Sequence, residues 1–143
     1  MSKTPRQAAK KTVLIVEDSI DFANLLKFLI EDEGADVEGV IFPIEGGDIV
    51  AWVKEHAPVT ILMDLALRRR EGYSYIEELK ADAETKGVPI VIITGRDLTQ
   101  REILDLEMKG IKYLRKGRVE IAEIKKEIRQ AAGLDKGHAP KPA

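Results

Sequence analysis

The 143-residue chain contains no cysteine, which excludes a disulfide framework and any thiolate metal site. Long apolar runs are missing as well. The longest extend about five residues, against the roughly 20 that a membrane-spanning helix needs, so no membrane association is expected. The basic opening, MSKTPRQAAKK, leads into no apolar stretch of signal-peptide length. Neither sign of charge dominates: 23 Lys and Arg stand against 25 Asp and Glu. Such a balance gives no overall attraction to nucleic acid. A chain of this length fits one domain and buries about 68–70% of its unfolded surface, enough for a core without covalent staples. These absences leave a globular domain suited to a reducing compartment, and a cytoplasmic location is the expectation.

What is present is a regular switch between short β-branched runs and helix-period stripes. TVLIV at 12–16 reads as a strand, and Phe22, Leu25, Leu26 and Leu29 after it share one helix face. ADVEGVI at 35–41 alternates loosely, as a strand near a sheet edge does. Ile49, Val50, Val53 and Ala57 mark a second helix, which Pro58 ends. VTILM at 59–63 is a buried-strand run, followed by the stripe Tyr73, Ile76, Leu79 and Ala83. VPIVII at 88–93 is the most apolar run, with Pro89 near its start, where a strand tolerates it. A helix over 99–109 stops at Gly110, and IKYLR at 111–115 is the fifth strand. Ile121, Ile124, Ile128 and Ala131 define the last helix, ending near Gly133.

Five strand–helix units in strict alternation predict an α/β fold, a doubly wound five-stranded parallel sheet in the order 2-1-3-4-5. A barrel would need eight strands. Residues 1–11 and 133–143 lack periodicity and are expected to be flexible tails on a domain spanning 12–132.

In open parallel sheets the ligand site lies beyond the carboxyl ends of the strands, where the strand order reverses. Here that point falls between the first and third strands. Glu17 and Asp18 follow the first strand, Asp64 the third, Thr94 the fourth and Lys116 the fifth. Three carboxylates therefore converge, and such a group requires a cation or shared protons. An all-oxygen set suits a hard ion such as Mg²⁺, which typically takes one or two carboxylates, waters and a phosphate. Thr94 and Lys116 suit the oxygens of a phosphoryl group, and an aspartate is a competent nucleophile toward phosphorus.

With LIVEDS, ILMDLALRRREG, IITG and Lys116 three residues after Tyr113, the chain resembles the receiver domains of two-component response regulators, which have a flavodoxin-like (βα)5 fold. The resemblance covers about residues 11–132. It implies that Asp64 accepts a phosphoryl group from the histidine of a partner kinase or phosphotransfer protein. It also implies Mg²⁺ as cofactor, held by Asp18, Asp64 and the backbone carbonyl of Ala66, with Glu17 acting directly or through water. Thr94 and Tyr113 would form the switch, reporting to a downstream protein, or to a second copy in a homodimer, through the surface of the fourth helix, fifth strand and fifth helix. The chain would then be a signalling domain that catalyses only its own phosphorylation and dephosphorylation. It departs from the family pattern at Arg68 and Gly117, both usually proline, and the stretch 110–116 is one residue short.

Plainer readings compete at each position. Glu17 and Asp18 suit a helix N-terminus, Thr94 a turn, Lys116 a solvated loop and Tyr113 a half-buried strand. The Arg68, Arg69, Arg70 run suits a solvated loop, Trp52 the packing of the second helix, and His56 and His138 have no ligand spacing. Only the constellation of five strand-end residues outweighs these readings. A haloacid-dehalogenase-like phosphotransferase would need a second aspartate where Ala66 stands, and a dinucleotide binder a glycine-rich loop in place of VEDSID. A receiver-like interaction module that works without phosphorylation is the remaining alternative. The resemblance also implies that two further side chains flank the approach to Asp64: Ala66, which offers no group to orient a water, and Arg96, which can lie over the phosphoryl oxygens and is expected to shield them.

Overall fold

The computed structural model describes residues 10–34 and 36–133. Most of the two expected tails, together with Ala35 and His138, lies outside the described residues. The elements alternate as β1 (Lys11–Val16), α1 (Ile20–Glu31), β2 (Val37–Ile41), α2 (Ile49–His56) and β3 (Thr60–Met63). They continue as α3 (Gly72–Ala81), β4 (Ile90–Thr94), α4 (Gln100–Met108), β5 (Lys112–Arg115) and α5 (Ile121–Ala131). All strand pairs are parallel and the order is β2-β1-β3-β4-β5, as the alternation predicted. β1 begins at Lys11, one residue before the expected start, and Lys11 N donates to Asp36 O. No helix among the described residues is long and apolar enough to cross a membrane.

Period-two alternation splits the core into two layers. Val13 and Ile15 of β1 and Val91 and Ile93 of β4 pack with Ala23, Leu26, Leu29 and Ile30 of α1 and Ile124 and Ile128 of α5. Leu14, Val16, Ile61, Met63, Ile90 and Ile92 face the side covered by α2, α3 and α4. At about 1.5–3 kcal/mol for each fully buried aliphatic side chain, these layers are the main source of stability. Two expected core positions differ. Tyr75 is buried on α3, edge-on to Phe42, and Ala83 is exposed beyond the helix end. Phe22 is only half-buried, for a reason found at the site.

The caps fix where the helices start relative to the strand ends. Ser19 Oγ accepts from Phe22 N, so α1 begins directly after Glu17 and Asp18. Thr99 and Glu102 form a reciprocal capping box at the start of α4. α2 ends at Ala57, in the left-handed conformation, with Pro58 next.

The β2 margin of the sheet is covered. Lys27 Nζ of α1 donates to Gly39 O at 2.8 Å, Gly39 N donates to Glu31 Oε2 at 3.2 Å, and Lys27 and Glu31 pair at 2.7 Å. A Cβ at Gly39 would lie 3.3 Å from the Lys27 Cα, so glycine is what lets the helix come this close.

Candidate functional site

Beyond the carboxyl ends of β1 and β3 lies an open cleft of about 600 Å³, lined by Glu17, Asp18, Asp64, Ala66, Arg96 and Lys116 among others. Glu17 and Asp64 are buried, at 6% and 5% exposure. Lys116 joins them: its Nζ lies 2.9 Å from Glu17 Oε1 and 3.1 Å from Asp64 Oδ2. The other oxygen of each carboxylate accepts a backbone amide, Ser19 N for Glu17 at 3.0 Å and Ala66 N for Asp64 at 3.1 Å. The Lys116 ammonium lies over the Phe22 ring, with Nζ 4.4 Å from its centroid. A wall of the ammonium's pocket is thus what Phe22 supplies, and this is why it is not fully in the core.

Burial pushes the Glu17 carboxyl above its ordinary 4.5; the Ser19 amide and Lys116 lower it without offsetting this, and the charge of Asp64 raises it further. Burial also works against the Lys116 ammonium, but the hydrogen bond and charge of Glu17, and then Asp64, outweigh it and hold Lys116 above 10.5. The two directions are compatible because one ammonium serves two carboxylates that repel each other. Lys116 stays charged, and the acidic pair is left short of positive charge.

Lys116 is placed by its backbone. Its N donates to Thr94 O at 2.8 Å, extending the β4–β5 ladder. Gly117 then takes φ 84°, a conformation that proline cannot adopt and other L residues avoid. The replacement of proline at this position therefore accompanies a different backbone path.

Asp18 lines the same cleft, and Thr94 ends β4 just before Gly95, which also lines it, but both make other contacts. Asp18 Oδ2 accepts from Arg68 N, tying the first acidic loop to the segment after β3. Among the described residues no three acidic or histidine side chains are gathered at metal-binding spacing. The donor types of Glu17, Asp18, Asp64 and the Ala66 carbonyl fit a hard divalent ion; Asp18, in its contact with Arg68, stands apart from the Glu17–Lys116–Asp64 group. Thr94 is fully buried, and its Oγ1 accepts from Arg96 N at 3.3 Å. Tyr113 OH donates to Arg96 O at 2.8 Å. Thr94 and Tyr113 therefore meet at the backbone of one residue, Arg96. Arg115 adds two further ties to this loop, to Gly95 O and to Asp97 Oδ1, each at 3.1 Å.

The side chain of Arg96 has a partner that the sequence did not suggest. It forms a two-pronged pair with Glu71, at 2.7 and 3.2 Å, across the cleft's rim. The pairing holds the Glu71 carboxyl below its ordinary range. Sequence reasoning passed over Glu71, which sits in an aperiodic loop with no partner visible along the chain. It also passed over Gly72. A Cβ there would lie 2.3 Å from Asp64 O and 2.8 Å from the Leu65 Cα, so only glycine lets the start of α3 lie against the backbone that carries Asp64. The single signal available was the glycine itself, eight residues past a strand-end aspartate.

Comparison with known proteins supplies the class to which this fold and strand-end cleft belong. The family model described as the response regulator receiver domain matches residues 13–129. The chain belongs to that family. Among solved structures it is similar to the signal receiver domain of a DNA binding response regulator protein (merR) from Colwellia psychrerythraea 34H. That match has TM-score 0.72 and 20% identity, covering 87% of this chain and 99% of the other. It is also similar to the receiver domain of the sensor histidine kinase PA1611 from Pseudomonas aeruginosa PAO1, which has a magnesium ion coordinated in its active site cleft. Here the TM-score is 0.69 and the identity 23%, over 87% of this chain and 99% of the other. A third similar structure is the Mn²⁺-bound form of response regulator Rcp1, at TM-score 0.65 and 23% identity, covering 93% and 99%.

Proposed function

We propose that the chain is a phosphoryl-accepting receiver, a domain spanning about 12–132, in which Asp64 takes a phosphoryl group from a histidine of a partner kinase or phosphotransfer protein. The observation that carries this reading is the Lys116 ammonium held between Glu17 and Asp64 at 2.9 and 3.1 Å in an open cleft. A nucleophile, an acid beside it and a fixed cation are the groups that phosphoryl transfer requires, since that chemistry rests on positioning and charge neutralisation.

In the step, a carboxylate oxygen of Asp64 forms a bond to phosphorus as the phosphorus–nitrogen bond of phosphohistidine breaks. The imidazole nitrogen keeps the electron pair and takes its proton from solvent. Asp64 is aimed by the Ala66 amide on one oxygen, which leaves the oxygen facing Lys116 for attack. Lys116 then pairs with the transferred oxygens, and the Thr94 hydroxyl offers them a hydrogen bond. Glu17, Asp18, Asp64 and the Ala66 carbonyl would hold Mg²⁺, which would supply positive charge to the phosphoryl oxygens. Thr94 and Tyr113, joined through Arg96, pass the change to the α4–β5–α5 face. Leu104 and Met108 of α4 and Ile121 of α5 are exposed there, at 53%, 79% and 53%, and offer apolar purchase to a downstream protein in the cytoplasm.

Intact mass after acetyl phosphate and Mg²⁺ tests the reading. One phosphoryl adduct is expected, absent in Asp64→Asn and in EDTA. Equal labelling of Asp64→Asn would sink the assignment of the acceptor, and no labelling of the wild type would favour an interaction module that works without phosphorylation.

A further inference from the structure

Arg96 has a fixed backbone and a side chain held only at the surface. Its N is bound by Thr94 Oγ1 and its O by Tyr113 OH, so its Cα is anchored at the mouth of the cleft. Arg96 lines the same cleft as Asp64, Ala66 and Lys116, while its guanidinium is engaged in both prongs by Glu71. Glu71 occupies the N-cap position of α3, and its side chain makes no capping hydrogen bond there. The pair is solvated, with side-chain exposures of 35% for Arg96 and 54% for Glu71. Exposed ion pairs contribute little because water screens them and two long side chains must be ordered. This contact is therefore exchangeable.

A stronger partner would arise inside the cleft. A phosphoryl group carries about −1.5 to −2 charge near neutral pH and three acceptor oxygens, against one charge on a carboxylate. The planar fork of arginine matches either anion in the same two-pronged manner.

Building on the phosphoacceptor reading of Asp64, we propose that Arg96 moves from Glu71 to the phosphoryl oxygens on Asp64, with Glu71 as the competing anion that sets how long the acyl phosphate lasts. Arg96 in its second position covers phosphorus from the solvent side, and Ala66 opposite supplies nothing to orient a hydrolytic water. Glu71 touches neither substrate nor reacting atoms, so it is a positioning residue that acts through Arg96. The exchange also releases the tie between the β4–α4 loop and the start of α3.

The test uses the whole chain loaded with acetyl phosphate and Mg²⁺, freed of donor and followed by intact mass. Glu71→Gln should lengthen the lifetime of the adduct about two- to five-fold, the range that the loss of an exposed ion pair permits. Arg96→Gln should shorten it, and the double variant should behave as Arg96→Gln alone. Mg²⁺ affinity and thermal midpoint should match the wild type in Glu71→Gln, which separates competition for Arg96 from a structural effect. A Glu71→Gln lifetime equal to or shorter than wild type overturns the proposal, as does a lengthening that persists without Arg96. A wild type that loads but shows neither effect leaves the acceptor reading intact while refuting the exchange. A wild type that takes no adduct refutes both.

Discussion

Replacing Lys116 with methionine isolates the charge of the buried triad from its packing. Methionine keeps an unbranched side chain beside the Phe22 ring, so no large cavity opens, but Glu17 and Asp64 lose their shared counter-charge. Removing one partner of a buried pair costs about 3–5 kcal/mol. Two facts reduce that figure. The Lys116 side chain is 23% exposed, so water enters the gap, and the burial of its own ammonium is relieved. Its pKa stands above 10.5 all the same, so the carboxylates outweigh that burial and the loss is net destabilising. A cost of about 2–3 kcal/mol is expected for the metal-free protein at neutral pH, which for a domain of this size lowers the midpoint by roughly 6–15 °C. The signs with pH follow. A raised lysine contributes stability in full below 10.5 that is lost as pH climbs through the folded value, so wild type should lose more stability at alkaline pH than Lys116→Met. At acid pH Glu17 takes up a proton, and the gap between the two proteins should narrow. Thermal and urea unfolding followed by circular dichroism, with and without MgCl₂, measures all of this. Added Mg²⁺ should restore the variant more than it stabilises wild type, because a divalent ion replaces the missing charge. A variant as stable as wild type at neutral pH without metal would refute the view of Lys116 as counter-ion to buried carboxylates.

The other predictions concern neighbouring residues. Glu17→Gln should stabilise the metal-free protein, because a carboxylate whose folded pKa is raised above 4.5 makes stability fall as pH rises through that window; a urea midpoint that drops at neutral pH contradicts this. Gly72→Ala should both destabilise the domain, by about 1–3 kcal/mol for overpacking, and slow labelling of Asp64, because the added carbon presses on the Asp64 carbonyl. Normal labelling in a destabilised variant would separate the two effects and count against the second. Ala66→Asn should speed loss of the phosphoryl group from Asp64, measured in single turnover, by giving a water something to bind; an unchanged rate means that water is positioned elsewhere.

The order of strand and helix signals was enough to place Glu17, Asp64, Thr94 and Lys116 at neighbouring strand ends, because topology alone determines which loops meet. Side-chain commitments were not legible. Asp18 reaches the Arg68 amide across 50 positions of sequence, and Arg96 reaches Glu71 across 25. Such pairings depend on loop conformations that carry no periodicity. Tyr75 shows a different failure. The stripe through Tyr73 and Ala83 has helical spacing, but the helix ends at Ala81 and its buried face runs through Gly72, Tyr75, Ile76 and Leu79, with Tyr75 against Phe42. Gly72 is legible only in retrospect, since the need for a missing Cβ arises from the Asp64 backbone it touches.

The cover over β2 bears on how this chain fails rather than on how it signals. A strand at the margin of a sheet is normally a template on which another extended chain can add itself. Here the polar groups of Gly39 are already taken by Lys27 and Glu31. Those side chains belong to the same helix that buries Ala23, Leu26, Leu29 and Ile30, so the core packing of α1 keeps them beside the strand. An incoming strand must therefore displace both side chains from Gly39 before it can pair there.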